Sequence, residues 1–187
     1  KNLNFNKDEE KILKTFNLIS TKPKIFICNL NEKEKLEDNK YLNLIKKNLN
    51  DDRSTIISIS AEIESQIAQL ENEVEKKEFL DSLGWNNSGL DRIIKLSYIK
   101  LNLITYFTTG EKETRAWTVK KNSIALDASS IIHTDFKKGF ICAETTSFED
   151  YIKYGGSKGA KENGKTRQEG KEYLVKDGDI IRFLFNV

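Results

Sequence analysis

The feature that most constrains the fold is a repeated order of short apolar runs and helical patterns in the first half of the chain. The runs Lys24–Cys28 and Thr55–Ile59 have the length of β-strands, and the second is β-branched except for Ser58. Apolar residues at helical spacing follow both runs, at 42–49 and 63–70. This order is typical of a parallel sheet with covering helices, so we predict an α/β fold. A doubly wound sheet normally has more than two strands, and we expect further strands N-terminal to this segment.

After about Leu101 the pattern changes to short strands around one principal helix. We predict an α+β domain there, in which a small mixed sheet packs on that helix. The segment Gly155–Gly170 holds five glycines and few large apolar residues, so we predict that it is mostly loop. Over the whole chain the predicted elements are helices at 5–19, 42–49, 60–70, 73–83, 89–101, 125–133 and 148–154, and strands at 24–28, 55–59, 103–108, 115–119, 140–145, 172–175 and 180–185.

Composition excludes several classes of protein. Of the 187 residues 37% are hydrophobic and 32% charged, and no apolar run approaches the roughly 18 residues of a membrane helix. The first residues are polar, unlike a signal peptide, and the chain lacks Met. We therefore expect a cytoplasmic protein that continues upstream of Lys1. We predict that Cys28 and Cys142 are reduced thiols and that no metal is bound, because a zinc site takes about four ligands and the chain has one His.

Polar clusters follow both predicted strands of the α/β part. Asn29 and Glu32 follow the first strand, and Ser60, Ala61 and Glu62 follow the second. Ligands of α/β sheets bind at the carboxyl ends of parallel strands. A carboxamide can both donate to and accept from a purine, and the N–H groups of a helix start point outward. We therefore predict that these two strand ends hold a purine base; the alternative is that Asn29 and Glu32 are ordinary loop residues.

The sequences of these clusters resemble known nucleotide-binding motifs. "NLNE" and "SISAE" resemble the last two motifs of P-loop GTPases, Asn-Lys-x-Asp and Ser-Ala-Lys, with Leu30 in place of the Lys and Glu32 in place of the Asp. The Asn-x-x-Glu variant resembles the Obg-like ATPases, the YchF family, which prefer adenine to guanine. The replacement of the Asp by Glu has a physical reason, because guanine presents two N–H donors to an Asp whereas adenine presents a different edge.

The second half of the chain extends the resemblance. "SGLDRIIKLSYIKLNLITYFTTGEKETRAWTVKKNS" looks like the passage from the family's nucleotide domain into its TGS domain, and "IIHTDFKKGFICAE", "DYIKYGG" and "GAKENGKTRQEGKEYLVKDGDIIRFLFNV" look like the remainder of that domain. The resemblance implies the end of a helical arm at 1–22, the C-terminal part of a P-loop nucleotide-binding domain at 23–100, and a TGS domain of ubiquitin-like β-grasp fold at 101–187.

The family resemblance also implies a function. The family binds ribosomes and hydrolyses ATP, sometimes GTP, with Mg²⁺. In the full-length parent, the Asn29–Glu32 segment would select the purine and the Ser60–Glu62 segment would frame it. The implied partner is the ribosome or its RNA, with no membrane and no DNA. The alternative is a free-standing β-grasp adaptor that binds RNA or protein and uses no nucleotide.

A basic stretch lies within the predicted TGS domain. Between Lys153 and Lys171 there are six basic residues against two acidic ones, and Tyr151 and Tyr154 precede most of them. Cations on glycine-rich backbone can neutralise RNA phosphates, and aromatic rings can stack on bases. We predict that this stretch contacts ribosomal RNA; the alternative is a solvated loop. The predicted contact residues are Lys158, Lys161, Lys165 and Arg167.

His133 invites comparison with a general base, because Asp135 is close by in the sequence. No nucleophile is placed beside it by the sequence, so we predict that His133 caps the end of a short helix. A role in partner binding from an exposed loop is the alternative, which the resemblance of "HTDF" to the TGS signature permits. We assign no catalytic residue in this chain.

We predict that the 187-residue chain by itself neither retains nor hydrolyses ATP or GTP. The motif G-x-x-x-x-G-K-[ST] does not occur in it, and phosphate cradling with Mg²⁺ positioning supplies nearly all catalysis of phosphoryl transfer. A phosphate-release assay on the purified chain is expected to give no turnover above the buffer. ATPase activity that disappears in Asn29→Ala would contradict the prediction.

Overall fold

A computed structural model of the chain describes residues 5–31, 39–49 and 54–186, with backbone alone at 54–55. It divides into two units, Lys1–Ser97 and Tyr98–Val187, and each is described by itself.

The helices of the first unit begin where short polar side chains can cap them. Asn6 Oδ1 accepts from the N–H groups of Asp8 and Glu9, and the Glu9 carboxylate accepts from the Asn6 N–H, which makes a capping box. Asn39 and Asn72 cap two later helices by accepting backbone N–H groups with their side-chain oxygens. The elements of this unit are α1 Lys7–Thr15, β1 Lys24–Asn29, α2 Lys40–Asn48, β2 Ser54–Ile59, α3 Ala61–Gln69, α4 Glu73–Ser82 and the greater part of α5 Gly89–Leu101, with a 3₁₀ turn at Ile19–Thr21.

The predicted parallel pairing of the first unit is confirmed. Strands β1 and β2 pair in parallel from Lys24 opposite Ser54 to Asn29 opposite Ile59. Apolar side chains of β2 and of the helices form the buried part of this unit, namely Leu42, Ile57, Ile63 and Ile67. The predicted helix at 5–19 ends early, because Asn17 takes a left-handed backbone conformation (φ 49°) that stops α1.

The start of α5 is held by a side chain from another helix. Glu64 on α3 accepts from the N–H of Gly89 at 2.7 Å and from the N–H of Leu90 at 3.1 Å. Ser88 adds a local cap, since its Oγ accepts from the Asp91 N–H at 3.0 Å. The carboxylate also lies at the positive end of the helix dipole. This cross-helix contact fixes α5 against α3.

The second unit is a five-stranded mixed sheet in the order β4-β3-β7-β5-β6. Strands β3 and β7 run parallel at its centre and the other pairs are antiparallel. Helix α6 packs on one face through Ala125 and Ala128, and the buried Tyr106 hydroxyl donates to the Ala128 carbonyl at 2.9 Å. The elements are β3 Leu103–Thr109, β4 Thr114–Lys120, α6 Ala125–Ile132, α7 Thr134–Lys138, β5 Phe140–Thr146, α8 Phe148–Lys153, α9 Ser157–Glu162, β6 Arg167–Glu169 and β7 Ile180–Phe185.

Two predictions for the second unit are wrong. The segment 155–170 is not mostly loop, because it contains α9 and β6. Gly159 serves packing, since a Cβ there would run into the Tyr154 carbonyl. The segment 172–175 is not a strand: Leu174 makes only an isolated bridge with Ile124. A network of side-chain hydrogen bonds, rather than backbone pairing with a strand, holds that segment.

That network is built on the buried carboxylate of Asp179, which is 2% exposed. Asp179 accepts from the Tyr173 hydroxyl at 2.8 Å and from the Lys176 N–H at 2.9 Å. Arg167 on β6 donates to Glu169 at 3.0 Å and to the Tyr173 hydroxyl at 3.4 Å. The network ties the sheet edge to the 173–179 loop. Burial, and next to it the bond to Asp179, raises the pKa of Tyr173 from 10.0 to about 12.

Replacing Gly89 with Ala is expected to destabilise the first unit by roughly 1–3 kcal/mol, the usual cost of overpacking. A Cβ at Gly89 would lie 2.7 Å from Glu64 Oε1 and 2.8 Å from Ile59 Cγ2. Urea unfolding measures the loss. Gly110→Ala is the control, because its Cβ would meet nothing closer than 3.9 Å; equal midpoints for both variants would refute the packing role of Gly89.

The raised pKa of Tyr173 predicts a specific loss of stability at alkaline pH. The pKa in the folded state lies above its value of 10.0 in the unfolded chain, so the contribution is complete below pH 10.0 and is lost as the pH rises toward about 12. Tyr173→Phe should therefore lose less stability than the wild type across this interval, as measured by thermal unfolding. Tyr41→Phe, at an exposed position, should behave like the wild type; identical pH profiles for all three proteins would contradict the prediction.

Candidate functional site

The carboxyl ends of β1 and β2 meet at one edge of the first unit. Asn29 Oδ1 accepts from the Ala61 N–H at 3.0 Å, and the Leu30 N–H donates to the Ile59 carbonyl at 2.8 Å. The first bond joins the end of β1 to the first residue of α3. The two polar clusters that follow the strands therefore lie side by side, because parallel strands end at the same edge.

Ser60 lies at this edge, between β2 and α3, and is 1% exposed. Within the described residues its Oγ has no hydrogen-bond partner. A buried hydroxyl without a partner costs about 1–3 kcal/mol, so such a group calls for an explanation. A ligand that reaches the start of α3 would supply the partner.

Four of the predicted base-site residues are thus brought together, namely Asn29, Leu30, Ser60 and Ala61. Glu62 lies in the first turn of α3 and is exposed. Glu32 lies outside the described residues. Only the oxygen of the Asn29 carboxamide is engaged within the described part of the chain, which leaves its Nδ2 group as a donor.

Two residues that support this edge were missed by the sequence analysis. Glu64 caps α5, as described above, and Arg92 on α5 donates from Nη2 to the Ser58 carbonyl at 3.1 Å. Both contacts join residues far apart in the chain, so no local sequence pattern predicts them. The S-x-x-D spacing at Ser88 and Asp91 could have indicated the start of α5.

The predicted RNA-contact residues divide into two groups in the second unit. Lys158 and Lys161 lie on α9 and Lys165 follows it; all three are exposed. Lys161 Nζ lies 3.3 Å from Glu144 Oε1. Arg167 instead belongs to the network of Glu169, Tyr173 and Asp179, where the bond to Glu169 raises its pKa.

His133 lies between α6 and α7 and caps the second of them. Its Nδ1 accepts from the Asp135 N–H at 3.2 Å and lies 3.4 Å from Asp135 Oδ2. His133 is thus a helix cap, but its side chain caps the start of α7, which was not predicted, rather than the end of α6, where it contributes only its backbone N–H.

Neither a metal site nor a membrane-spanning helix is found within 5–31, 39–49 and 54–186. Over those residues no cluster of three His, Cys, Asp or Glu side chains could hold a metal ion. Their helices are too short or too polar to cross a bilayer. Cys28 and Cys142 are both free thiols.

Comparison with protein families identifies the second unit. Residues 103–186 match the family model YchF-GTPase_C, described as a protein of unknown function (DUF933). The whole chain is 46% identical to the Ribosome-binding ATPase YchF of Haemophilus influenzae and 46% identical to that of Bacillus subtilis. The chain spans about half the length of these curated relatives, 51% in each case.

Solved structures agree with the sequence comparison. The Schizosaccharomyces pombe YchF GTPase superposes with a TM-score of 0.85 at 35% identity, over 97% of this chain and 48% of that one. A GTP-binding protein from Pyrococcus horikoshii shares the fold, with a TM-score of 0.59 at 19% identity, over 88% of this chain and 46% of that one. Residues 103–186 therefore match the C-terminal domain family of YchF proteins, and the chain is similar to YchF proteins over its whole length.

Proposed function

We propose that this chain is part of a cytoplasmic, ribosome-binding nucleoside triphosphatase that prefers ATP to GTP. Two relatives that match it across its whole length are named ribosome-binding ATPases, and a similar solved structure is named a GTPase. The first unit would carry the base-recognition half of the nucleotide site. The second unit would be a TGS module of β-grasp fold, with five strands arranged around α6.

The observation that carries the nucleotide proposal is the edge where Asn29 meets α3. The carboxamide oxygen of Asn29 accepts from the Ala61 N–H, which leaves the Nδ2 group as a donor for a ligand. Such a donor suits N7 of a purine. The buried Ser60 Oγ and the start of α3 lie beside it and would frame the ring.

The family resemblance assigns the other purine contact to Glu32, whose carboxylate would accept from an exocyclic amine. An acid in this position that is longer than Asp favours adenine in our proposal. The residues of this edge fit a purine base but include no phosphate loop. Mg²⁺ and the phosphates would be held by parts of the parent protein beyond this segment, and they would supply the phosphoryl chemistry.

The partner in the proposal is the ribosome, reached through its RNA. Support comes from the exposed lysines on and after α9, which lie in a region with six basic residues against two acidic ones. Lys158 and Lys165 lie within no described ion pair, so their charges face solvent and would attract a polyanion. His133 serves as a helix cap, and we leave it out of the proposed contact.

Replacing Asn29 with Asp in the full-length protein is expected to weaken ATP binding about tenfold or more, the effect of losing one buried hydrogen bond. Asp keeps the oxygen that accepts from the Ala61 N–H, so folding should be preserved, but it removes the Nδ2 donor. Isothermal titration calorimetry with ATP and GTP measures the change.

Asn72→Asp is the matched control, because Asn72 also accepts a backbone N–H at a helix start but caps a different helix, α4. It should bind ATP like the wild type. Unchanged affinity in Asn29→Asp would refute the base contact. A wild-type protein that binds neither nucleotide would instead favour the adaptor alternative.

A further inference from the structure

A row of polar residues crosses three strands on the sheet face that points away from α6. Glu144 on β5 lies directly opposite Arg182 on β7 and Gln168 on β6. The neighbours Ala143, Ile181 and Phe183 belong to the buried core. Because side chains alternate along a strand, the polar row lies on the other face.

The row places one covered anion beneath two exposed cations. The Glu144 side chain is only 13% exposed, whereas Lys161 is 69% and Arg182 is 73% exposed. Lys161 Nζ lies 3.3 Å from Oε1 of Glu144, and Arg182 Nη1 lies 4.0 Å from Oε2. Each cation approaches a different oxygen of one carboxylate, so both cationic groups lie within 4.0 Å of Glu144.

This cluster keeps a net positive charge. One carboxylate cannot neutralise two cations, and Lys158 on α9 adds another. Glu162, at the end of α9, is the acid nearest to Lys161 in the sequence. Glu169 is already paired with Arg167. Arg167 differs from Arg182 because its guanidinium is bonded both to a carboxylate and to Tyr173.

We propose that Lys161 and Arg182 form a paired phosphate site that binds the backbone of ribosomal RNA, with Glu144 as the residue that positions them. The inference rests on the proposed function, since it assumes that the protein meets the ribosome. A phosphodiester backbone presents closely spaced charges that match two adjacent cations, and the guanidinium fork suits a phosphate. Arg167 serves the fold and takes no part.

The test uses the full-length protein and measures binding to purified, protein-free ribosomal RNA at several salt concentrations. Lys161→Gln and Arg182→Gln should each weaken binding severalfold and reduce the slope of log K against log salt by about one. Lys112→Gln, which removes an exposed lysine from the β3–β4 turn, is the control and should leave the slope unchanged. Arg167→Gln should lower the melting temperature and leave the slope unchanged.

Glu144→Gln tests the positioning role. It adds positive charge, so a residue that only neutralised its neighbours would give tighter RNA binding when replaced. Positioning predicts weaker binding at an unchanged melting temperature, and tighter binding would overturn that role.

Ribosome co-sedimentation separates failure of this inference from failure of the proposed function. A wild-type protein that does not sediment with ribosomes refutes the proposed function. A wild-type protein that does so, with Lys161→Gln and Arg182→Gln binding RNA as tightly and with the same slope, refutes only the paired site. Loss of ribosome binding without loss of binding to bare RNA would mean that the partner is an acidic protein, and the RNA assignment would be wrong.

Discussion

The carboxyl-terminal edge of the first unit depends on one contact, the bond from the Ala61 N–H to the Asn29 carboxamide oxygen. Parallel pairing brings the ends of β1 and β2 together, and this bond then joins the first strand to the helix that follows the second. The same bond leaves the Asn29 amide group free to donate. In the proposed nucleotide site, one side chain would thus serve both as a structural constraint and as a recognition element.

Two carboxylates, the buried Asp179 and the partly buried Glu144, have a comparable organising role in the second unit. Asp179 collects donors from the 173–179 loop, and Arg167 reaches it through Tyr173. Glu144 collects two cations on the opposite side of the sheet from α6. Arg167 is held in the network of Asp179 by hydrogen bonds, whereas the two cations beside Glu144 remain exposed at the surface. Net charge alone, which is +2, conveys none of this.

Much of the fold could be predicted because it rests on local patterns. The parallel strands, the helix beginning at Gly89 and the last strand at Ile180–Phe185 are found where periodicity indicated them. The misread segments were those whose conformation depends on distant partners. Glycines at 155–170 suggested loop, yet Gly159 allows α9 to approach Tyr154 closely. Leu174 and its neighbours looked like a strand, yet Asp179 holds that segment by side-chain bonds.

For the candidate site, the sequence by itself determined which polar residues follow the two strands. It also determined that a helix begins directly after the second strand. Caps and strand periodicity act within a few residues, so a linear pattern carries them. Only the tertiary structure decided that Ser60 is buried with no hydrogen-bond partner among the described residues, that Glu64 caps a helix 25 residues away, and that Lys161 shares a carboxylate with Arg182. These features arise from contacts between separate elements, and burial and charge pairing exist only once those elements are packed.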